Sequence, residues 1–248
     1  MKRIPVWAMA LIIFQLPLDA QQLEEILQAH FKAAAQEKME KIKTMITHGT
    51  NRYAMGGIES AFTIYQARPD KIRIESFFQG SGVIQTYNGQ SGYMVAPSMG
   101  VKEPKLMTNN ELKSILSQAD FENPLWNAAK KGDKLELLEP GPDDSDDHVQ
   151  MTTSSGEVFH FFIDRESHLI SSIRSTQVLR GASTEITTVL KEYKSVRGIP
   201  VAFQIQTRMN GETVTTISIE KVEFNKKIDS TLFEKPVTDL HMGPSGGE

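Results

Sequence analysis

Residues 61–97 read AFTIYQARPDKIRIESFFQGSGVIQTYNGQSGYMVAP, four or five short strands in succession with an Arg68-Pro69-Asp70 break after the first. Phe62 and Ile64 fall on one face of the first strand, and Ile72, Ile74 and Phe78 on one face of the next. Gly80-Ser81-Gly82 reads as a turn between strands, with no helix after it whose N-terminus would hold phosphate. Each strand therefore has one apolar side, and the set must close over a core.

The surroundings extend this pattern. Upstream, Leu23, Ile26, Leu27, Phe31 and Ala34 recur at helical spacing from Gln21, with Glu24, Glu25 and Gln28 on the wet side, which predicts an amphipathic helix. Residues 42–50 then turn to β character. Downstream, Thr108-Asn109-Asn110-Glu111 ahead of Leu112, Ile115 and Leu116 is a capping-box pattern and predicts a short helix from Asn109 to Gln118. Asp120 is expected to cap a second short helix carrying Phe121, Leu125 and Trp126.

Strands resume at residues 134–138, 148–152, 158–163 and 169–176, with longer ones over 184–193, 201–209 and 213–224. Asn210-Gly211 predicts a tight primed-turn hairpin between the last two. Val201, Phe203 and Ile205 alternate with Ala202, Gln204 and Gln206. Ile217 and Ile219 share a phase that Val222 and Phe224 do not, which predicts a bulge near Glu220-Lys221. The sum is a mainly β chain with a few helices: about eleven or twelve mostly antiparallel strands in a curved sheet or incomplete barrel, with helices over its open side.

Lys2 and Arg3, the apolar run from Ile4 to Leu16 and Leu18-Asp19-Ala20 give the charged, apolar and small-residue order of a cleavable secretory signal, with cleavage expected after Ala20. The expected organisation is signal 1–20, one domain over 21–242 and a disordered tail over 243–248. Without its first 20 residues the 248-residue chain keeps 25 basic and 30 acidic residues, a formal charge of −5, which argues against a nucleic-acid partner. Cysteine is absent, so there is no disulfide framework, no thiolate nucleophile and no acylated thiol anchor.

Catalytic and metal motifs are weak. His30, His48, His148, His160, His168 and His241 make no pair at metal-ligand spacing. His30 and His160 sit on apolar stripes, where a hydrogen-bonded structural histidine is the expectation. Asp143, Asp144, Asp146 and Asp147 lack the spaced pattern and distal Glu of a calcium loop, and the sequence leaves calcium there open. No G-x-S-x-G elbow is present. The expectation is a protein without catalytic residues, resident metal or cofactor.

The order of motifs resembles the LolA-like outer-membrane lipoprotein carriers. It runs from KMEKIKTMITHGT at 38–50 through Arg68-Pro69, the Asn88-Gly89 turn before Tyr93, the inserted helices and FHFFID at 159–164 to the closing segment at 229–236. The resemblance implies an unclosed antiparallel β-barrel with a helical lid, in which a periplasmic protein carries acyl chains of lipoproteins or other lipids towards the outer membrane. An inner-membrane donor and an outer-membrane acceptor protein are the implied partners. The cavity residues are then Phe62, Ile64, Ile72, Ile74, Phe203, Ile205, Ile217 and Ile219.

Under the same resemblance Arg68 is a lid latch that hydrogen-bonds backbone carbonyls of the covering helices; read from the residues alone, it is a surface ion pair with Asp70 or Glu75. The chain is longer than the compact carriers, with a Pro/Asp-rich loop at 139–147. That difference fits the broader group of sorting-protein-like domains, whose cargo varies. The competing readings are a protein-binding or sensory module of the cell envelope, an enzyme on an apolar or glycan substrate, and a structural envelope protein with a filled core.

Overall fold

The computed structural model describes residues 18–78, 81–139, 145–179 and 181–237. The expected signal segment before Leu18, the Gly80 position, Asp143 and Asp144 of the acidic loop, and the 243–248 tail lie outside the described residues.

The described chain opens with α1 (Leu18–Ala33) and α2 (Gln36–Met39), separated by Ala34 and Ala35, the latter in the left-handed region that breaks the helical run. Six strands follow: β1 (Thr44–Tyr53), β2 (Glu59–Ala67), β3 (Lys71–Phe78), β4 (Ser81–Tyr87), β5 (Gly92–Ala96) and β6 (Val101–Leu106). Then come α3 (Asn109–Ala119) and α4 (Ala128–Lys131). Seven further strands complete the chain: β7 (Lys134–Leu138), β8 (Asp146–Thr152), β9 (Val158–Asp164), β10 (Ile170–Leu179), β11 (Ala182–Val196), β12 (Ile199–Met209) and β13 (Glu212–Phe224).

All thirteen strands form one antiparallel sheet in the order β6-β5-β4-β3-β2-β1-β13-β12-β11-β10-β9-β8-β7. Every neighbour is a neighbour in sequence except β1 and β13, whose pairing joins the two halves of the chain. The unpaired edges are β6 and β7, and the segment between them carries α3 and α4, so the helices sit in the connection that spans the opening. This is an unclosed, curved β-barrel with a helical lid, as the strand and helix order predicts.

Thirteen strands exceed the expected eleven or twelve. The strand hard to see in sequence is β6, VKEPKL, where Pro104 lacks a backbone donor and argues against a strand interior. It is tolerated because β6 is a sheet edge, with β5 as its one partner. The helix expected at Phe121–Trp126 is absent: Asp120 instead accepts the amide of Glu122, Asn123 accepts that of Leu125, and α4 starts later, after Asn127 in the left-handed region. Thr108 and Glu111 do form both bonds of the capping box at α3.

The expected bulge is present. His48 faces Lys221 while Gly49 faces Ile219, so Glu220 is the extra residue, and Ile217, Ile219, Val222 and Phe224 come to share one face. Gly49 is required there by space: a Cβ would run into the Ser218 carbonyl and the ring of Phe62. Asn210 and Gly211 both have positive φ, the primed turn that matches strand twist.

Three apolar clusters fill the concave side. Leu27 of α1 and Leu125 pack on Val149, Met151, Phe161, Ile163 and Ile170 of β8–β10. Ile115 and Ala119 of α3 pack on Ile72 and Ile74 of β3. Ile42, Ile199, Val222 and Phe224 form the third, beside Met39 of α2. Each fully buried Ile or Phe contributes about 1.5–3 kcal/mol, so α1 and α3 are held by the faces that the sequence pattern already marks.

Candidate functional site

Between the first and third clusters the concave face carries a short, partly buried apolar row, with Leu190 packed against the first cluster and Ile219 against the third. Leu190 of β11 pairs with Ile205 of β12, and Ile205 pairs with Ile217 of β13. Ile219 lies across from Gly49, and Gly49 across from Phe62. Leu190, Ile205, Ile217 and Ile219 are half-buried, whereas Phe62 is buried over the glycine. Phe203 is half-buried as well, with the Lys194 ammonium 4.5 Å from its ring centroid. The result is a short apolar strip across β11, β12, β13, β1 and β2, here called the trough, which gives way to Thr188, Thr207 and Thr215 towards the β12–β13 turn.

The eight predicted cavity residues thus fall into two groups. Phe62, Phe203, Ile205, Ile217 and Ile219 belong to the trough strands. Ile64, Ile72 and Ile74 lie under α3, against Ile115, Leu112 and Met107. That seat is close: at Gly92 of β5 a Cβ would collide with Leu112.

Arg68, at the end of β2, ties the lid segments together. Its Nε donates to the Ile42 carbonyl at 2.8 Å and its Nη2 to the Met39 carbonyl at 3.3 Å. Its Nη1 pairs with Glu122 at 2.8 Å, and its guanidinium lies 4.6 Å from the centroid of Phe121. Neither Asp70 nor Glu75 is among these partners; Glu75 pairs with Arg73 at 2.6 Å, and Arg73 also donates to the Leu232 carbonyl. Arg68 therefore joins the end of α2, the segment between α2 and β1, and the loop after α3.

Near this knot lies a small cavity of about 160 Å³, lined by His30, Met39, Phe121, Tyr193 and Pro200 among others. It is below the roughly 300–1,000 Å³ of a pocket enclosing a drug-sized ligand. His30 Nδ1 donates to the His168 carbonyl at 2.7 Å, and its Nε2 accepts from Asn123 at 2.6 Å. Burial pushes the His30 pKa down, so the ring is held neutral in the tautomer those two bonds require. The Tyr193 hydroxyl donates to the Ile170 carbonyl at 2.8 Å, and burial pushes its pKa up to about 12.

The other expected structural histidine, His160, bonds His148 at 2.9 Å, and His148 stacks on Phe162. Among the described residues no three His, Asp or Glu gather as metal ligands, and no helix is long and apolar enough to cross a membrane.

No family model and no curated protein matches the sequence. Solved structures do match. An outer membrane lipoprotein-sorting protein domain from Vibrio parahaemolyticus superposes with TM-score 0.56 at 12% identity, covering 85% of this chain and 95% of that one. A LolA superfamily protein from Nitrosomonas europaea gives TM-score 0.53 at 11% identity, with 86% and 97% covered. The fold is LolA-like. A DUF1329 family protein from Desulfovibrio piger, with TM-score 0.56 at 11% identity over 84% and 97%, shares it.

Within this LolA-like fold, three residues of the site escape sequence reading. Leu190 lies in a strand whose pairing with β12 is a tertiary fact. Glu122 lies 54 residues from Arg68. Asn51, across from Ile217, has a side-chain oxygen buried without a hydrogen-bond partner. Only the last carried a local signal, a polar residue in an alternating strand, and that signal does not tell inside from outside.

Proposed function

We propose that this protein is a soluble periplasmic carrier that shelters acyl chains of lipoproteins or other lipids in the apolar trough and moves them towards the outer membrane. The observation that carries this reading is the partly buried row Leu190–Ile205–Ile217 with Ile219, whose ends Leu190 and Ile219 pack against the first and third clusters while Ile205 and Ile217 in the middle belong to none of the three. A partly buried apolar row leaves apolar area for a ligand to cover. Each methylene removed from water contributes roughly 0.8 kcal/mol, so a chain of about 14 carbons offers on the order of 10 kcal/mol before ordering costs.

In this reading α3 is the movable cover, since Ile64, Ile72 and Ile74 reach a ligand only when it swings away. Arg68 latches it through Glu122. Export with cleavage after Ala20, a single domain over 21–242, and donor and acceptor proteins in the two membranes complete the proposal. Carriage needs no covalent step, and no residue is assigned one. The sorting role named for the Vibrio neighbour supports the reading.

The test is native mass spectrometry with organic extraction of the protein purified from its own envelope. A bound lipid or acylated peptide supports carriage and names the cargo class. An empty mass, unchanged after incubation with lipoprotein, overturns it in favour of a protein-binding module of the cell envelope with the same fold.

A further inference from the structure

The two ends of the barrel differ. At one end the β2–β3 turn, α2, the Arg68 cluster and the third apolar cluster close the space between the strands. At the other stand the β1–β2, β5–β6, β10–β11 and β12–β13 connections. Among the described residues ten large apolar side chains are exposed, and seven of these are at this second end. Three are on the β1–β2 connection, one follows β5, one opens β9 and two close β10.

Met55 is 90% exposed, Val178 74% and Met99 71%. Turn tips ordinarily carry small or polar residues. Here glycines Gly56, Gly57, Gly100 and Gly181 take the positive-φ positions, and the residues beside or near them are apolar.

These tips border the trough. Phe62, Ile205 and Ile217 each lie within five residues of the strand ends at this rim. Apolar points spread over separate hairpins do not make the contiguous, shape-matched patch of a protein interface. A fluid apolar phase accepts them without shape matching. Near the tips Arg52 pairs with Glu59 at 3.1 Å and Arg174 with Glu185 at 3.9 Å, so these charges add little attraction to a charged headgroup.

We propose that this rim docks on the surface of a lipid bilayer, with the Met55, Met99 and Val178 tips entering the headgroup region and the mouth of the trough turned to the lipid. The proposal rests on the carriage reading, since it supplies the route by which lipid enters.

The test is flotation of the protein, as purified from its own cells, with vesicles of phosphatidylethanolamine and phosphatidylglycerol and with purely zwitterionic vesicles. The triple variant Met55→Ser, Met99→Ser, Val178→Ser is compared with Val237→Ser, an exposed apolar residue remote from the rim. The expected result is similar partitioning of the wild type and Val237→Ser on both vesicles, and at least a tenfold loss in the triple variant with unchanged circular dichroism and melting temperature.

Absence of wild-type flotation overturns the proposal. So does undiminished flotation of the triple variant, which would place the contact elsewhere. So does binding to the anionic vesicles alone. A photo-crosslinker at position 55 that captures a second copy or another protein, and no lipid, also overturns it. Flotation of the wild type and loss in the variant, together with an empty mass for the purified protein, would sink carriage and leave docking standing.

Discussion

Arg68 Nη1 lies 2.8 Å from Glu122 Oε1, which joins the end of β2 to the loop that follows α3. The same guanidinium holds the Ile42 and Met39 carbonyls. Hydrogen bonds to a charged group are worth about 1.5–3 kcal/mol where they are sheltered from water. Arg68→Ala is therefore expected to speed release of a fluorescent fatty acid roughly tenfold or more in stopped-flow, with the sheet still folded by circular dichroism. Unchanged release would leave Arg68 a structural tie only.

Ile217 separates a trough from a filled core. It is half-buried, so Ile217→Asp is expected to abolish lipid binding while lowering stability modestly. Ile74→Asp should behave differently, because that residue is buried against α3 and a carboxylate there is desolvated without a partner. Its expected effect is a loss of several kcal/mol in urea unfolding. Equal destabilisation by both variants would mean that the trough is ordinary core.

Gly49 lies on the β1–β13 seam, where a Cβ would meet the Ser218 carbonyl. Gly49→Ala is expected to cost about 1–3 kcal/mol, the range for forcing atoms into packed space, because its Cβ meets backbone. Denaturant unfolding with hydrogen exchange on β1 and β13 reads this directly. A melting temperature equal to wild type would refute the close approach.

His30 makes stability depend on pH. Its folded pKa lies below the ordinary 6.5 because burial disfavours the imidazolium, so the unfolded chain binds the proton more readily. The contribution is whole above pH 6.5 and is lost as pH falls from there towards the folded pKa. His30→Gln should flatten this part of the stability profile in urea titrations between pH 7 and 5, and an unaltered slope would assign the dependence to another group.

Tyr193→Phe removes the hydroxyl that donates to the Ile170 carbonyl, at an expected cost of about 0.5–1.5 kcal/mol. Chemical denaturation measures it, and a neutral result would mean that water replaces the hydroxyl.

The sequence by itself determined which segments pair locally and which faces are apolar. The alternation in β2 and β3, the capping box at Thr108, the Asn210-Gly211 turn and the phase change around Glu220 are all properties of residues within a few positions of each other, and local sterics and hydrogen bonding settle them. Two elements were not legible: the edge strand β6 around Pro104 carried no strand expectation, and Asp120 made a turn in place of the expected helix cap.

Only the tertiary structure decided that β1 pairs with β13, that α3 covers Ile64, Ile72 and Ile74 while Ile205, Ile217 and Ile219 stay half-open, and that Arg68 meets Glu122. The physical reason is that burial depends on what lies across a strand or beneath a helix. An isoleucine carries the same pattern whether its neighbour is a packed helix or an open trough.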